Sequence, residues 1–299
     1  MEERKTAHDF DQDLLILFDA YVHGVIDRRS FLDQASRFAV GGVTAAMLLE
    51  QLSPKFIERT VVAKDDARLA AEYVEYDSPN GSGKMRGYLA KPDKQTGKLP
   101  AILVIHENRG LNPHIEDVAR RFALANFVAF APDALFPLGG YPGDEDKARE
   151  LFPKLDQNKT RQDFIAAYNF LKARPETTGK VGAVGFCYGG GMVNFLATQL
   201  PDLAGGVAFY GSAPNLEDVP KIKAPLLIQS AEVDERINAS WPGYEQALKA
   251  ANVQYERFLY PGTQHGFHND TTPRYDAAAA KLAWERTVAF FNKNVRGAA

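Results

Sequence analysis

The chain has 299 residues, 45% of them hydrophobic and 24% charged, which is enough to bury a large core, as one large domain or as one domain with a small appendage. Its formal net charge of -3 and its lack of a long basic block argue against nucleic acid as a partner. No run of about 18 uncharged apolar residues is present, so no membrane partner is expected, and one cysteine excludes an internal disulfide framework.

The first 60 residues are predicted to form a helical appendage to a domain of residues 61–299. Residues 9–23 predict a helix, because an Asp-rich first turn suits the helix dipole and apolar residues recur on one side. A second helix is predicted over about residues 29–51. The apolar stripe of the first helix needs a partner, so we expect both helices to pack on the main domain. That stripe consists of Leu14, Leu15, Leu17, Phe18, Tyr21 and Val22.

An alternative interpretation of the same segment is an export signal. Residues 27–32 contain the pair Arg28-Arg29 and are close to a twin-arginine motif, and residues 38–49 are an apolar run suited to its hydrophobic core. Acidic, amphipathic sequence precedes the pair, Asp33 and Arg37 precede the apolar run, and no A-x-A cleavage signal follows it. We therefore expect packed helices in a cytoplasmic protein, with periplasmic export by the twin-arginine route as the alternative.

From about residue 69 the pattern changes to strands and then to alternating strands and helices. A polar turn separates two strands of a predicted hairpin, 72–76 and 85–90. Further strands are predicted at 100–105, 127–131, around Val181, and at 204–210, 225–230 and 255–260. Helices are predicted at 113–126, 143–155, 159–174, after Gly191, and at 239–251 and 275–292. This alternation indicates an α/β fold with a mostly parallel central sheet covered by helices on both faces.

Cys187 lies between the predicted Val181 strand and the helix after it, in the sequence Gly185-Phe-Cys-Tyr-Gly189. A G-x-nucleophile-x-G run between a strand and a helix is the nucleophile elbow of α/β-hydrolases, here with sulfur in place of oxygen. The two glycines lack the Cβ atoms that would clash where strand and helix nearly touch. A buried cysteine without this context is more often a small hydrophobe. With it, the sequence predicts a nucleophile in an α/β-hydrolase fold.

A thiol nucleophile needs a base and an orienting acid, and both follow in the order of α/β-hydrolases. Asp234 comes after the strand at 225–230, and His265 comes after the strand at 255–260. Both positions are carboxyl ends of strands, where ligands bind in open α/β sheets. In such a triad the imidazole takes the thiol proton, and the carboxylate fixes its tautomer.

Neighbouring residues compete for these two roles. Glu232 and Glu235 are alternative acids, but their spacing from the strand favours Asp234. His268 is an alternative base, but Gly266 leaves room for the ring of His265. A metal site of His265, His268 and Asp270 is a weaker hypothesis, because three neighbours on one loop lack a regular zinc spacing.

The end of the first apolar strand carries a polar sequence, His106-Glu-Asn-Arg-Gly110. The fold places the second oxyanion-hole amide here, the first being the N–H of Tyr188. A carboxylate at Glu107 would repel a thiolate, so we expect Glu107 to interact with Cys187 while the thiol is neutral. The alternative is a surface glutamate.

At these residues the chain resembles the dienelactone hydrolase family, over roughly residues 72–294. The resemblance implies a hydrolase with a cysteine–histidine–aspartate triad and a glutamate that holds the resting thiol unreactive until substrate binds. It assigns these roles to Cys187, His265, Asp234 and Glu107. No cofactor and no metal is implied, and the sequence leaves a homo-oligomer open.

The sequence departs from the dienelactone enzymes in two places. Their substrate-gripping arginine shortly after the histidine is replaced by His268-Asn-Asp270, and the stretch after the glutamate is polar, Asn108-Arg109. Arg109 or Arg274 would have to bind a substrate carboxylate from a different direction. Dienelactone itself is therefore in doubt as the substrate.

Sulfur restricts the expected substrates. The tetrahedral intermediate expels whichever group leaves more readily, and a thiol of pKa about 8.5 leaves far more easily than an alkoxide. The expected partner is therefore a small lactone or activated ester. Two other hypotheses remain: a redox-active thiol, which would lack a second cysteine to resolve a sulfenic acid, and a non-catalytic binding protein on a hydrolase scaffold.

Overall fold

A computed structural model describes residues 4–297, in which eight strands form a single sheet. The strands are β1 (Leu69–Ser78), β2 (Gly83–Pro92), β3 (Leu99–Ile105), β4 (Val128–Pro132), β5 (Thr177–Phe186), β6 (Gly205–Phe209), β7 (Leu226–Val233) and β8 (Tyr255–Gln264). Their order is β1-β2-β4-β3-β5-β6-β7-β8. β2 is antiparallel to β1 and to β4, and every other neighbouring pair is parallel. The predicted mostly parallel sheet is confirmed.

Helices connect the strands and cover the sheet. They are α1 (Gln12–Val22), α2 (Arg28–Ala35), α3 (Ala45–Leu52), α4 (Pro113–Leu124), α5 (Glu145–Leu151), α6 (Gln157–Ala173), α7 (Tyr188–Gln199), α8 (Glu235–Asn238), α9 (Trp241–Ala250) and α10 (Ala277–Phe291). Two hydrophobic clusters, one on each face of the sheet, enclose the central strands. β4 and β6 are buried along their whole length, as strands covered on both faces must be.

The predicted helix over residues 29–51 is wrong, because the structure divides it. α2 ends at Ala35, and α3 begins at Ala45 after Thr44, whose side chain accepts a hydrogen bond from the Met47 N–H. Gly41 and Gly42 between them have φ angles of 62° and 86°, in the left-handed region that an α-helix cannot continue through. Other bounds differ as well: for example, α5 is shorter than predicted, and α7 begins at Tyr188, three residues before Gly191.

The three N-terminal helices share a hydrophobic cluster of their own. It contains Leu14, Leu15, Leu17, Phe18, Tyr21, Phe31, Ala35, Leu48, Leu49 and Leu52. Arg28 and Arg29 open α2, where Asp27 caps the helix and Arg28 lies 3.2 Å from Asp146. In the part of the chain that the structure describes, no helix has the length and apolar character needed to cross a membrane.

The N-terminal segment also contacts the loops at the carboxyl ends of the parallel strands. The carbonyl oxygen of Val22 accepts hydrogen bonds from the Asn108 side chain at 3.1 Å and from the Arg109 guanidinium at 2.7 Å. The backbone N–H of Lys55 donates to the carbonyl of Thr271 at 2.8 Å. α1 therefore ends directly over the edge of the sheet where the predicted catalytic residues lie.

Candidate active site

Cys187 lies at the sharp turn between β5 and α7. Its backbone has φ 55° and ψ -112°, a strained conformation for a residue with a side chain. A Cβ on Gly185 would come within 2.0 Å of the Gly189 carbonyl oxygen, and one on Gly189 within 2.3 Å of the Ile105 carbonyl oxygen. Only glycine fits at these two positions, so the pattern that predicted the elbow has a steric cause.

Asp234 and His265 meet beside this turn. Asp234 follows β7 and caps α8, and its Oδ2 lies 2.6 Å from Nδ1 of His265, which follows β8. Both side chains are about 5% exposed, so the pair is sheltered from solvent. The contact at Nδ1 leaves Nε2 of His265, which has no hydrogen-bond partner among residues 4–297, on the side of the thiol.

The competing residues lie elsewhere. Glu232 is exposed and accepts a hydrogen bond from the Gly262 N–H at 2.7 Å. The ring of His268 stacks on Phe186 at 5.2 Å, and burial, aided by Arg121 and His114, lowers its pKa to about 3. A histidine with this pKa stays neutral and is a poor base at ordinary pH.

A second imidazole, which the sequence did not reveal, reaches the thiol from the N-terminal segment. His23 follows α1, and its Nε2 lies 3.5 Å from Cys187 Sγ. Its Nδ1 is 2.8 Å from the carbonyl oxygen of Asp19 and 3.2 Å from the Asp19 carboxylate. The rings of His23 and His265 are edge to face at 4.9 Å. Two imidazole–carboxylate pairs therefore converge on one sulfur.

The only sequence signal for His23 is an Asp and a His four residues apart at the end of an amphipathic helix. That pattern is typical of a histidine interacting with a helix C-terminus and says nothing about a thiol 164 residues away. The contact between His23 and Cys187 depends on how the N-terminal segment docks on the main domain, which a local sequence pattern does not predict.

The two imidazoles control the ionisation of the thiol. Burial raises the pKa of Cys187, but His265 and His23 together outweigh it and lower the pKa to about 6. Burial lowers the pKa of His265, but Cys187 and Asp234 outweigh it and raise the pKa to about 10. The pKa of His23 is likewise raised, by Asp19 and Cys187 against burial. Between about pH 6 and pH 10 the favoured state is a thiolate beside an imidazolium.

Glu107 lies at the end of β3 in the same cavity as Cys187. Its carboxylate accepts a hydrogen bond from the Asn269 side chain at 2.9 Å. The buried His106 fixes this loop, since its Nδ1 lies 2.5 Å from the Glu107 carbonyl and its Nε2 accepts from the Ala134 N–H at 3.1 Å. Within residues 4–297, the sulfur contacts His23 and makes no hydrogen bond to Glu107.

The polar residues predicted for substrate binding line the cavity but bind the N-terminal segment. Asn108 and Arg109 donate to the Val22 carbonyl, and Arg274 donates to the Asp19 carboxylate at 2.9 Å. Both arginines are less than a tenth exposed. The cationic groups near the thiol are therefore already occupied by α1 and the residue that ends it.

Tyr188 contributes to the site through its backbone. It is the first residue of α7, where N–H groups have no intrahelical partner. Its side chain points away, with the hydroxyl donating to Gln157 at 3.1 Å and the ring packed against Phe152 at 4.8 Å. The Tyr188 N–H is thus free of the helix ladder beside the thiol.

The cavity in front of Cys187 has a volume of about 60 Å³. His23, Glu107, Asn108, Arg109, His265 and Arg274 contribute to its lining. Small-molecule sites usually occupy about 300–1,000 Å³, so this cavity is small for a substrate site. Phe18, Tyr21 and His23 of the N-terminal segment form part of its wall.

The metal site suggested by His265, His268 and Asp270 is not assembled. Asp270 pairs with Arg121 at 2.6 Å and lies 3.2 Å from His114. Among the described residues, the group whose ligand atoms do come together is His23, Cys187 and His265.

Comparison with known proteins gives the family. The model described as "Dienelactone hydrolase family" matches residues 85–295, well over half of the chain. The chain belongs to the dienelactone hydrolase family. A separate model, "YqhI-like", matches residues 1–40, which include His23.

Relatives of this dienelactone hydrolase family member agree with the assignment. A "Putative carboxymethylenebutenolidase" of Saccharolobus solfataricus is 32% identical over 73% of this chain and 96% of its own length. "Putative hydrolase fragment YghX" of Escherichia coli is 54% identical over 38% of this chain and 97% of its own. The solved structure of a "Putative Dienelactone Hydrolase" from Klebsiella pneumoniae matches with a TM-score of 0.66 and 28% identity. It covers 75% of this chain and 99% of that one.

Proposed function

We propose that this hydrolase cleaves lactones or activated esters with Cys187 as nucleophile, His265 as base and acid, and Asp234 as the group that orients His265. The observation that carries the proposal is the buried Asp234–His265 pair beside a strained, partly exposed thiol whose pKa is lowered to about 6. A thiolate already formed at neutral pH needs no further activation before it attacks.

The reaction has two halves. The thiolate attacks the carbonyl carbon, and the carbonyl electron pair moves to oxygen, where the Tyr188 N–H and an amide of the loop at Asn108 would stabilise the charge. When the intermediate collapses, the carbon–oxygen bond to the leaving group breaks, and protonated His265 supplies the proton. Neutral His265 then takes a proton from water, the water oxygen attacks the thioester, and the sulfur leaves as thiolate.

Glu107 is proposed to repel the thiolate and so keep a fraction of the thiol protonated until substrate binds. Its carboxylate lines the same cavity and is held there by Asn269. Binding of an ester would change the position of this charge relative to the sulfur, because the two share a small space.

Residues 1–60 are proposed to act as an appendage that covers the site of the main domain, residues 61–299. The cavity of about 60 Å³ is too small for both halves of most esters, and α1 forms one wall of it. Small lactones fit this arrangement better than lipids or peptides. Larger substrates would have to displace α1 from Asn108, Arg109 and Arg274.

The test is acylation of Cys187 by a p-nitrophenyl ester, followed by the mass of the intact protein. One acyl adduct is expected in the wild type and none in Cys187→Ala. Asp234→Asn should slow acylation at least a hundredfold because it removes the group that orients the base. Glu232→Gln, two residues earlier at the end of β7, is the matched control and should be acylated at the wild-type rate. An adduct that persists in Cys187→Ala would disprove the mechanism.

A further inference from the structure

The ligand atoms of His23, Cys187 and His265 all lie within 4.8 Å of one another. The distance from Cys187 Sγ to His23 Nε2 is 3.5 Å. A tetrahedral zinc ion, with bonds of about 2.3 Å to sulfur and about 2.0–2.1 Å to nitrogen, holds adjacent sulfur and nitrogen ligands about 3.6 Å apart. Little movement would therefore bring the three atoms around one ion.

Both imidazoles are oriented in the manner of metal ligands. Nδ1 of His265 faces Asp234 at 2.6 Å, and Nδ1 of His23 faces the Asp19 carbonyl and carboxylate at 2.8 and 3.2 Å. In metal sites such contacts fix the ring so that the other nitrogen faces the ion. His265 is about 95% buried, and its Nε2 has no hydrogen-bond partner among residues 4–297. This nitrogen is buried and lies on the side of the sulfur, where an ion bound to Cys187 would meet it.

The surrounding charges suit a divalent cation. Asp19, Asp234 and Glu107 are acidic, and the sulfur adds a fourth negative charge when it is ionised. Two buried cations in the same cavity oppose an ion, but each has an acidic partner: Arg274 lies 2.9 Å from Asp19, and Arg109 lies 3.8 Å from Glu145. Arg236 donates to His23 Nε2 at 3.0 Å and would oppose an ion, but this side chain is exposed and free to turn into solvent.

We propose that His23, Cys187 and His265 bind one Zn²⁺ ion, with water as a fourth ligand in the remaining cavity, and that the bound ion prevents the sulfur from attacking a carbonyl. A thiolate with two imidazoles is a ligand set that zinc accepts while keeping one position open. The ion would also join the N-terminal segment to the main domain through His23. Metal binding does not depend on the proposed hydrolysis, but the inhibition does.

The first measurement is metal affinity of the full-length protein after treatment with a chelator. Zinc binding, followed by competition with a chelating dye, should show one ion per chain. Cobalt should give a thiolate-to-metal charge-transfer band. His23→Ala should weaken zinc binding at least tenfold, because it removes one of three ligands. His8→Ala, an exposed histidine of the same segment, is the matched control and should not change it.

A second variant, Arg236→Gln, should change the zinc affinity in the opposite direction to His23→Ala. Removing the cation that lies on His23 Nε2 should tighten zinc binding several-fold. Zinc should also raise the melting temperature of the wild type and of Arg236→Gln, since it binds the folded state. It should raise that of His23→Ala much less, and His23→Gln serves as a second variant if the alanine variant is unstable.

Equal zinc affinity in the wild type and a folded His23 variant would overturn the three-ligand site. So would a cobalt complex without a thiolate band. Zinc binding without any ester cleavage would leave this site standing and remove the proposed function. Ester cleavage that zinc does not inhibit would leave the proposed function standing and overturn the proposed inhibition by zinc.

Discussion

The rate of Cys187 alkylation by iodoacetamide is expected to rise through a midpoint near pH 6. The pKa of the thiol is lowered from its ordinary value near 9 to about 6, because His265 and His23 outweigh the effect of burial. Since the pKa is lowered, the reactive thiolate dominates above about pH 6. At pH 7 a pKa of 6 gives about nine-tenths thiolate, whereas a pKa of 9 gives about one-hundredth.

The midpoint of the pH profile is the quantity to measure, because the alkylation rate at a single pH differs little between a thiol of pKa about 6 and one of pKa about 9. Thiolate nucleophilicity falls with pKa by a factor of about 16–30 over three units, which offsets most of the roughly ninetyfold gain in thiolate. The net advantage at pH 7 is only about three- to sixfold. A single rate at neutral pH would therefore understate the effect of the site.

The assay is stopped-flow or quenched alkylation from pH 4.5 to 10 with a chelator present, followed by intact mass. His265→Ala should move the midpoint upward by more than one unit, since the His265 charge contributes most to the lowering, and His23→Ala should move it upward by less. Glu232→Gln should leave it unchanged. A wild-type midpoint near pH 9 would refute the assignment of a thiolate–imidazolium pair.

Four further expectations concern the leaving group, Glu107, the turn at Gly185 and the N-terminus. The value of kcat/KM across esters with one acyl group should rise steeply as the leaving-group pKa falls below about 10, with ethyl esters nearly inert; a flat series would indicate a general esterase. Glu107→Gln should change the pH profile of alkylation more than the melting temperature, and an unaltered profile would place Glu107 outside the site. Gly185→Ala should destabilise the fold by about 3 kcal/mol or more, because its Cβ would lie 2.0 Å from the Gly189 carbonyl oxygen. Gly243→Ala, where the nearest atom is 3.4 Å away, is its control in thermal unfolding. Protein from the native host should retain residues 1–52, which sequencing of its N-terminus would show; a mature chain starting near Ser53 would reveal a working export signal.

The sequence predicted those features that depend on local patterns. Alternating apolar strands and helices indicated the parallel sheet, and the glycines around Cys187 indicated the turn that the structure contains. That Asp234 and His265 would lie close to each other was predictable because each directly follows a strand, and parallel strands end at the same edge.

Local sequence patterns could not predict the contacts of the N-terminal segment. An apolar stripe on α1 shows that the helix needs a partner but does not show which surface it meets. The position of His23 over Cys187 depends on hydrogen bonds from Asn108 and Arg109 to Val22, which join residues more than 80 positions apart. The break between α2 and α3 had a local signal, the two glycines at 41 and 42, that the helical pattern around them obscured.

The pairing of Arg274 with Asp19 has a consequence for substrate choice. A tethered carboxylate is present at its partner at an effective concentration on the order of millimolar, as for short intramolecular links. A free substrate that needs Arg274 for its own carboxylate has to compete with this internal anion. Its apparent affinity falls by one plus the ratio of that effective concentration to the dissociation constant of the Asp19–Arg274 pair. A neutral ester that reaches Cys187 without using Arg274 meets no such competition. If Arg274 is the group that binds a substrate carboxylate, α1 would thereby bias the reaction against acidic substrates without touching the reacting bond.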